Sequence, residues 1–297
     1  MAKFHNIKVA DIYKETEDTS VVAFEIPSEL HEAFKFRQGQ HLTLKADIKG
    51  EDVRRSYSLC SSPIENQWKV AVKQIPGGKF STYINESLKT GDELEVMAPS
   101  GTFGVEVKPE ESKIYYFLTK ERRDIELFNG RFDDEKMKVL TKTFIDIPDT
   151  SEVFLCGPEK MVNYVSEYLV NAGLPKELIH FELFVTGLSE EDIKRAERLA
   201  QQNVEGVEVT IVDGGKEFLF TMTKEYDNIL DAALGAGADL PFACKGGVCS
   251  TCKCKVVEGA VEMKINYALD DKEVSQNLVL SCQSVPTAEK VVVDFDV

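Results

Sequence analysis

The cysteines carry the clearest chemical signal in this sequence. Four of the seven fall within eleven residues, between Cys244 and Cys254, and Cys282 follows thirty residues after Cys252. An odd number of cysteines with no secretory signal argues against a disulfide framework and favours metal binding or redox chemistry. Cys244, Cys249 and Cys252 form the pattern C-x4-C-x2-C, and Cys282 supplies a fourth thiol. This ligand spacing predicts a [2Fe–2S] cluster, whose irons need soft, charge-donating thiolates.

Glycines in the same loop are expected to shape its backbone. Gly246 and Gly247 lie between the first two cysteines, and we expect both to adopt angles that a Cβ would forbid. A zinc site built from the same four thiols is the alternative, although zinc sites usually present two C-x2-C-like pairs. Cys254 is left over and is interpreted as a spare thiol.

Two weaker patterns near the N-terminus suit an anionic ligand. Arg54-Arg55-Ser56-Tyr57-Ser58 is expected to lie on a strand, on which Arg55 and Tyr57 share one face. The guanidinium of Arg55 would offer a pair of donors that matches phosphate, and Tyr57 would offer an aromatic ring for stacking. Gly77-Gly78-Lys79-Phe80-Ser81 precedes a predicted helix, and the free N–H groups of a helix N-terminus attract anions. Each pattern alone is unspecific.

The elements that must position these groups change character along the chain. Residues 4–107 alternate short β segments with turns, which predicts an antiparallel barrel. Residues 112–184 alternate strand and helix, which predicts a parallel sheet with helical crossovers. A helix over 189–202, capped by Ser189, is expected to bridge two domains. Residues 205–297 return to short strands around one helix.

Composition narrows the class of protein. The 297 residues are 43% hydrophobic and 29% charged, an ordinary globular balance. Acidic residues outnumber basic ones 51 to 35, so nucleic acids are poor partners. No apolar run approaches the length of a membrane helix, and the N-terminus lacks a signal peptide. We therefore expect a soluble, cytoplasmic protein without nucleic-acid or membrane partners.

Residues 205–297 resemble the plant-type ferredoxins. The resemblance is carried by Leu240-Pro241-Phe242-Ala243-Cys244, by the cysteine loop itself and by Leu280-Ser281-Cys282. It implies a β-grasp fold and one-electron transfer at low potential, with Cys244, Cys249, Cys252 and Cys282 as ligands.

The two N-terminal patterns, in this order, resemble the ferredoxin–NADP reductase superfamily. The resemblance implies that Arg55 binds the diphosphate of FAD, Tyr57 packs on the isoalloxazine and Ser58 lies near the flavin N5. It also implies that Gly78 and Ser81 hold phosphate, and that the backbone of Val72 and Lys73 lines the ribityl chain. The FAD-binding residues implied are Arg55, Ser56, Tyr57, Ser58, Val72, Lys73, Gly78 and Ser81.

A second part of that resemblance concerns the pyridine nucleotide. Cys156-Gly157-Pro158 follows a predicted strand and is similar to the superfamily's turn that approaches the nicotinamide. Phe184 ends the next strand, where the superfamily returns to the flavin. A plain turn at 156–158 and a core position for Phe184 are the structural alternatives.

The order of the three predicted domains along the chain (barrel, nucleotide domain, ferredoxin domain) resembles the reductase subunits of oxygenases, most of all those of the bacterial phenylacetyl-CoA epoxidases. It implies that electrons pass from NAD(P)H through FAD to a [2Fe–2S] cluster and on to a di-iron oxygenase of phenylacetate catabolism. No catalytic His or Ser is needed, since the cofactors carry the chemistry. The expected domains are an FAD-binding barrel at 1–110, an NAD(P)-binding α/β domain at 111–186, a linker helix at 187–204 and a ferredoxin domain at 205–297.

One segment departs from that pattern. Reductases of this superfamily carry a Gly-rich turn after the first strand of the nucleotide domain, whereas the strand predicted at 113–118 is followed by Thr119-Lys120-Glu121-Arg122-Arg123-Asp124. Residues 112–184 are also too few for the usual five strands, so at least one βα unit is expected to be missing. Either the working protein has a segment that this sequence lacks, or it has lost tight NAD(P)H binding. The second case favours an electron carrier fed by another protein.

Overall fold

An antiparallel sheet forms the N-terminal part of the structure. The computed structural model describes residues 3–101, 103–104, 117, 122–184 and 189–297. The strands of the N-terminal sheet are β1 (Phe4–Thr16), β2 (Thr19–Glu25), β3 (His41–Ile48), β4 (Glu51–Ser58), β5 (Trp68–Lys73) and β6 (Glu93–Met97). They pair in the order β4-β3-β6-β1-β2-β5. A bridge between Leu59 and Val70 joins the two ends, so the sheet is barrel-like, as the turn spacing predicts.

A tight turn sets the register of the β3–β4 hairpin, which contacts the cysteine loop. Lys49 and Gly50 connect β3 to β4, and both have positive φ angles, 59° and 84°. Two such residues match the twist of paired strands. The resulting register places Thr43 opposite Ser56 and Leu42 opposite Tyr57. Helix α1 (Lys79–Glu86) packs on this sheet through Phe80 and Ile84, which are each 1% exposed.

A mixed sheet forms the C-terminal part. Its strands are β9 (Glu208–Asp213), β10 (Lys216–Thr221), β11 (Lys253–Glu258), β13 (Leu278–Leu280) and β15 (Lys290–Asp294), and β12 (Val261–Met263) pairs separately with β14 (Ser284–Pro286). The order is β10-β9-β15-β11-β13, with β15 parallel to β9. Helix α5 (Ile229–Gly235) buries its apolar face in the core of this sheet, and the short helix α6 is Asp271–Ser275. Short strands around helix α5 are what the sequence pattern of residues 205–297 predicts.

Helix α4 (Glu190–Ala200) packs against this C-terminal sheet. The hydroxyl of Ser189 accepts a hydrogen bond from the Asp192 N–H, which is the predicted cap. Leu199 enters the core, Arg195 Nε donates to the Lys264 carbonyl at 2.8 Å, and Tyr267 hydrogen-bonds Asp192. The helix therefore belongs to the same compact unit as the C-terminal sheet.

The chain divides into two compact units, one of residues 1–104 with 188–297 and the other of residues 105–187. In the second unit, helix α2 (Asp134–Thr143) precedes strand β7 (Val153–Pro158), helix α3 (Glu159–Asn171) and strand β8 (Ile179–Phe184). Strands β7 and β8 pair in parallel, so β7, α3 and β8 form the predicted crossover. The strand predicted at 113–118 and residues 119–121 lie outside the described residues, except for Phe117. None of the described helices is long and apolar enough to cross a membrane.

Candidate functional site

The cysteine loop brings the four predicted ligands together as two pairs. The Sγ atoms of Cys244 and Cys249 lie 3.2 Å apart, and the thiol of Cys252 hydrogen-bonds Cys282. Cys252 and Cys282 are buried, at 2% and 3% exposure. Within the described ranges, no three or more His, Cys, Asp or Glu side chains lie close enough together to hold a single metal ion. The four thiols therefore lie as two close pairs, and the electrostatic coupling of Cys282 with Cys244 and Cys249 shows that the two pairs are neighbours.

Hydrogen bonds make one thiol of each pair the easier to deprotonate. The hydrogen bond from Cys249 lowers the pKa of Cys244 to about 6, and the hydrogen bond from Cys252 lowers the pKa of Cys282. The Gly246 N–H also points at the sulfur of Cys244, at 3.3 Å. Thiolates are the form that binds metals, so these contacts prepare the loop for a cationic centre.

The backbone of the loop corrects one of the two glycine expectations. Gly247 has a φ of +73°, and a Cβ there would lie 2.9 Å from the Ile265 carbonyl oxygen. Gly246 has no positive φ, and the nearest atom to a Cβ would be 3.8 Å away, so the expectation for Gly246 is wrong. The second residue with a left-handed backbone is instead Lys245, with a φ of 52°.

Cys254 belongs to neither thiol pair. It lies on β11, is fully buried in the core of the C-terminal sheet, and burial raises the pKa of its thiol.

Strand β4 separates the predicted flavin residues onto two faces. Arg55 and Tyr57 share one face, where the Tyr57 ring packs near Phe80 of α1 with 6.1 Å between ring centroids. Burial raises the pKa of Tyr57 to about 12, so its hydroxyl is neutral. Ser56 points the other way, and its hydroxyl lies 3.0 Å from that of Thr43. Ser58, at the end of the strand, is exposed.

The turn before α1 is held by Ser81. The Ser81 hydroxyl accepts from the Ile75 N–H at 3.1 Å and donates to the Gly78 carbonyl at 3.3 Å. A Cβ on Gly78 would lie 2.6 Å from that hydroxyl and 3.1 Å from the Ile75 carbonyl oxygen, so a larger residue would have to displace Ser81. Among the described residues, no side chain caps the N-terminus of α1. The hydroxyl of Ser81 is thus committed to the turn, and the helix start stays open.

The predicted ribityl segment lies on β5, at the end of the sheet. The side chain of Val72 is fully buried, and its carbonyl accepts a hydrogen bond from Asn85 Nδ2 at 2.9 Å. Lys73 is exposed and pairs with Asp18 at 3.2 Å.

The predicted nicotinamide residues lie at the carboxyl end of β7. Cys156 is exposed and lies opposite Glu182 of β8 in the parallel register. Burial raises the pKa of Glu182, a carboxyl that the sequence pattern did not single out. Gly157 has a φ of +150° and stands opposite Leu183, and Pro158 stands opposite the backbone of Phe184. The side chain of Phe184 lies outside the described residues.

The sequence did not reveal one contact between the barrel and the C-terminal part. Arg54, Thr251 and Phe242 meet where β4 contacts the cysteine loop: the Arg54 guanidinium carbon lies 3.9 Å from the centroid of the Phe242 ring, and the Thr251 hydroxyl lies 3.3 Å from that of Ser56. The double arginine and the spacing of the loop gave no sign that these segments touch, since they are about 190 residues apart in the chain.

Comparisons with known proteins agree with both parts of the first unit. Residues 6–104 match the oxidoreductase FAD-binding domain family, and residues 211–287 match the 2Fe-2S iron-sulfur cluster binding domain family. The chain is 35% identical to a subunit of the 1,2-phenylacetyl-CoA epoxidase of Escherichia coli (strain K12), over 100% of the chain and 99% of that relative. It is 28% identical to the ferredoxin reductase component of 3-ketosteroid-9-alpha-monooxygenase from Rhodococcus rhodochrous, over 97% of the chain and 96% of that relative.

A solved structure shares the fold. An intact type IV self-sufficient cytochrome P450 monooxygenase aligns with a TM-score of 0.63 and 21% identity, over 98% of this chain and 41% of that longer chain. The alignment with the Escherichia coli relative spans 356 positions, against 297 residues here, so at least 59 positions have no residue in this chain.

Proposed function

Since the chain belongs to the family of oxygenase reductases that includes this Escherichia coli epoxidase component, we propose that it supplies electrons to the di-iron oxygenase of a phenylacetyl-CoA epoxidase. Like its family, it is an NAD(P)H-dependent oxidoreductase with an FAD-binding domain and a [2Fe–2S] domain, and its acceptor is an oxygenase component. Bound FAD would supply an acceptor for the two electrons of a hydride that can give them up singly, and a bound [2Fe–2S] cluster would supply a one-electron carrier. The single observation that carries the proposed acceptor is the 35% identity to the Escherichia coli component over the whole chain. The contact of the cysteine loop with strand β4 of the FAD-binding domain supports transfer of electrons from flavin to cluster.

We assign the cluster to Cys244, Cys249, Cys252 and Cys282. The two thiol pairs support this assignment, because a two-iron cluster takes two protein ligands on each iron. A zinc site would need all four sulfurs around one ion. Gln283 Nε2 lies 3.7 Å from the sulfur of Cys282, and such hydrogen bonds to sulfur tune the potential of a cluster.

We assign the FAD to the face of β4 that carries Arg55 and Tyr57. Arg55 is exposed, and its guanidinium provides the fork that matches a diphosphate. Its Nη1 donates to the Arg54 carbonyl at 2.6 Å, which fixes the direction of the side chain. Tyr57, braced by Phe80, offers a flat apolar face for the isoalloxazine, and Ser58 offers a hydroxyl at the strand end.

The open N-terminus of α1 completes this assignment. Backbone N–H groups in the first turn, next to Gly78, attract phosphate. Ser81 contributes by holding the turn that exposes them. The backbone of Val72 and Lys73 is proposed to line the ribityl chain.

The pyridine nucleotide is proposed to approach the carboxyl end of β7. Ligands of parallel α/β sheets bind at the carboxyl ends of the strands, which is where Cys156, Gly157 and Pro158 lie. The 59 or more positions without a residue support the proposal that a βα unit with its Gly-rich loop is missing from this sequence. We favour a segment present in the working protein, because deletion through a parallel sheet leaves strand edges unpaired.

A reducing compartment, the cytoplasm, is proposed as the location. All seven cysteines lie in the described part of the chain, and all are free.

The deciding experiment adds NADH or NADPH anaerobically to protein loaded with FAD and iron. We expect the flavin absorbance to bleach, followed by the cluster absorbance. The Arg55→Ala variant, loaded with iron alone, serves as the control and should not respond. Bleaching by dithionite but by neither nucleotide would instead establish the carrier fed by another protein, the candidate that the incomplete nucleotide segment favours. Oxidation of the reduced protein by the phenylacetyl-CoA epoxidase oxygenase, and not by an unrelated oxygenase, tests the acceptor.

A further inference from the structure

Strand β4 has a second face, which the cysteine loop covers. Residues alternate sides along a strand, so Arg54 and Ser56 point away from the face of Arg55 and Tyr57. Both contact the loop that carries the cluster ligands, through Phe242 and Thr251. We propose that Arg54 and Phe242, with the hydroxyls of Thr43, Ser56 and Thr251, form a latch that holds the cluster loop against the flavin strand and thereby sets the rate of electron transfer between the two centres.

The side chain of Arg54 is buried in this latch rather than exposed to solvent. It is only 9% exposed, and Asp52 holds it through Nε–Oδ1 at 3.2 Å and Nη2–Oδ2 at 2.9 Å. Its guanidinium carbon lies 3.9 Å from the centroid of the Phe242 ring and 5.0 Å from that of Phe4. The cation is therefore enclosed by two aromatic rings and one carboxylate.

Burying the guanidinium of Arg54 costs free energy, and the contact with the Phe242 ring offsets part of that cost. Nη1 is buried without a hydrogen-bond partner in the described part of the chain. An unpaired buried donor destabilises a fold, whereas a cation over a desolvated aromatic face is strongly favourable. Phe242 stabilises the buried cation of Arg54. Docking of the loop and ordering of the barrel around Arg54 therefore favour each other.

The hydroxyl contacts place the same loop at a second point. Thr251 lies between the ligands Cys249 and Cys252, is buried, and hydrogen-bonds Cys249. Its hydroxyl lies 3.3 Å from that of Ser56 and 3.5 Å from that of Thr43. The three hydroxyls thus connect a cluster ligand to adjacent strands of the barrel, and two separated contact points prevent the loop from pivoting.

Lys245 strengthens the aromatic contact from the loop side. Its Nζ lies 4.6 Å from the Phe242 ring centroid and pairs with Asp231 at 2.6 Å. Phe242, two residues before Cys244, is therefore flanked by one cation of the barrel and one of its own domain. The Phe242 ring thus anchors the chain two residues before the first cluster ligand.

This inference rests on the proposed assignments of flavin and cluster, and its test avoids the pyridine nucleotide. The variants Arg54→Met and Phe242→Leu remove one partner each and keep apolar bulk. Lys45→Met is the matched control, because Lys45 also lies over Phe4, at 5.4 Å, and near Asp52, at 4.0 Å, but makes no contact with Phe242. FAD and iron contents are measured for every variant before any rate is taken.

The first readout needs no electron flow. Amide hydrogen exchange is measured over residues 240–252 and 51–58 in the loaded protein. We expect both latch variants to raise exchange about tenfold in 240–252, since they remove a buried cation–π contact. The Lys45→Met control should leave exchange there unchanged. Unchanged exchange in both latch variants would overturn the proposal.

The second readout is the rate at which the cluster is reduced after the flavin is reduced by light with a sacrificial donor. We expect about a tenfold slower cluster reduction in each latch variant, and no further slowing in the double variant, because the two residues act through one contact. Independent effects in the double variant, or equal slowing by Lys45→Met, would contradict the latch. Loss of FAD or iron in Arg54→Met would also overturn it, since Arg54 would then belong to cofactor binding.

Discussion

The Cα of Gly247 faces the carbonyl oxygen of Ile265 so closely that a Cβ on the glycine would lie 2.9 Å from that oxygen. Gly247 also has a left-handed φ of +73°, whereas its neighbour Gly246 has neither constraint. The two adjacent glycines of the cysteine loop therefore differ in what they tolerate, which makes them a natural pair for mutagenesis.

Gly247→Ala is expected to lower the iron content and the visible absorbance of the purified protein. The strained backbone costs about 1–3 kcal/mol, and the contact with Ile265 forces the loop to shift. Gly246→Ala is the matched control and should keep a full cluster, because its Cβ meets no atom closer than 3.8 Å. Equal iron content in both variants would contradict the assigned role of Gly247.

Cys282→Ser is expected to abolish the stable [2Fe–2S] absorbance. It removes the thiolate that pairs with Cys252, so one iron would keep a single cysteine. Cys254→Ser provides the control: Cys254 is buried in the sheet core, and its replacement should cost stability while the cluster spectrum persists. A normal spectrum in Cys282→Ser would show that the fourth ligand is misassigned.

Arg55→Ala is expected to lose FAD while the cluster remains. Removing the guanidinium leaves the diphosphate without its charge-assisted hydrogen bonds, which are each worth about 1.5–3 kcal/mol, so FAD affinity should fall at least tenfold. The measurement is the ratio of FAD to iron in the purified variant. Arg37→Ala, which replaces an exposed arginine of the same unit, should keep both cofactors. Stoichiometric FAD in Arg55→Ala would remove Arg55 from the site.

Acid is expected to destabilise the barrel through His41. Burial lowers the pKa of His41 from its ordinary 6.5 to about 4. Between these two pH values, His41 is protonated in the unfolded chain and neutral in the folded barrel. The contribution of His41 is therefore fully present above pH 6.5 and is lost as the pH falls towards 4, by up to about 3 kcal/mol.

Urea unfolding followed by the fluorescence of Trp68, the single tryptophan, measures this effect. Between pH 7.5 and pH 4.5 the free energy of unfolding should fall less in His41→Gln than in the natural chain, because glutamine binds no proton. His31→Gln, at an exposed histidine, is the control. Identical pH dependence in His41→Gln and the natural chain would contradict the prediction.

Much of the local structure was predictable because neighbouring residues determine it. Helix α3 occupies Glu159–Asn171 as its apolar period indicates, and Ser189 caps α4 as its type and position indicate. The turn at Lys49 and Gly50 is likewise recognisable in the sequence, and it sets the register that places Thr43 opposite Ser56.

The spacing of the cysteines by itself determined that three thiols gather in one place, because Cys244, Cys249 and Cys252 share one short loop. It did not determine that Cys244 pairs with Cys249 and Cys252 with Cys282, or which glycine carries the left-handed backbone. Those depend on the path of the loop against β11 and Ile265, which no periodicity encodes.

Only the tertiary structure decided that β4 serves two sites with its two faces. Alternation along a strand predicts that Arg55 and Tyr57 face one way, but not what lies behind them. Thr43 and Thr251 are 208 residues apart in the chain, and their contact follows from the packing of one folded domain on another. Local sequence preferences act over a few residues, whereas such a contact arises only when two complete surfaces fit together.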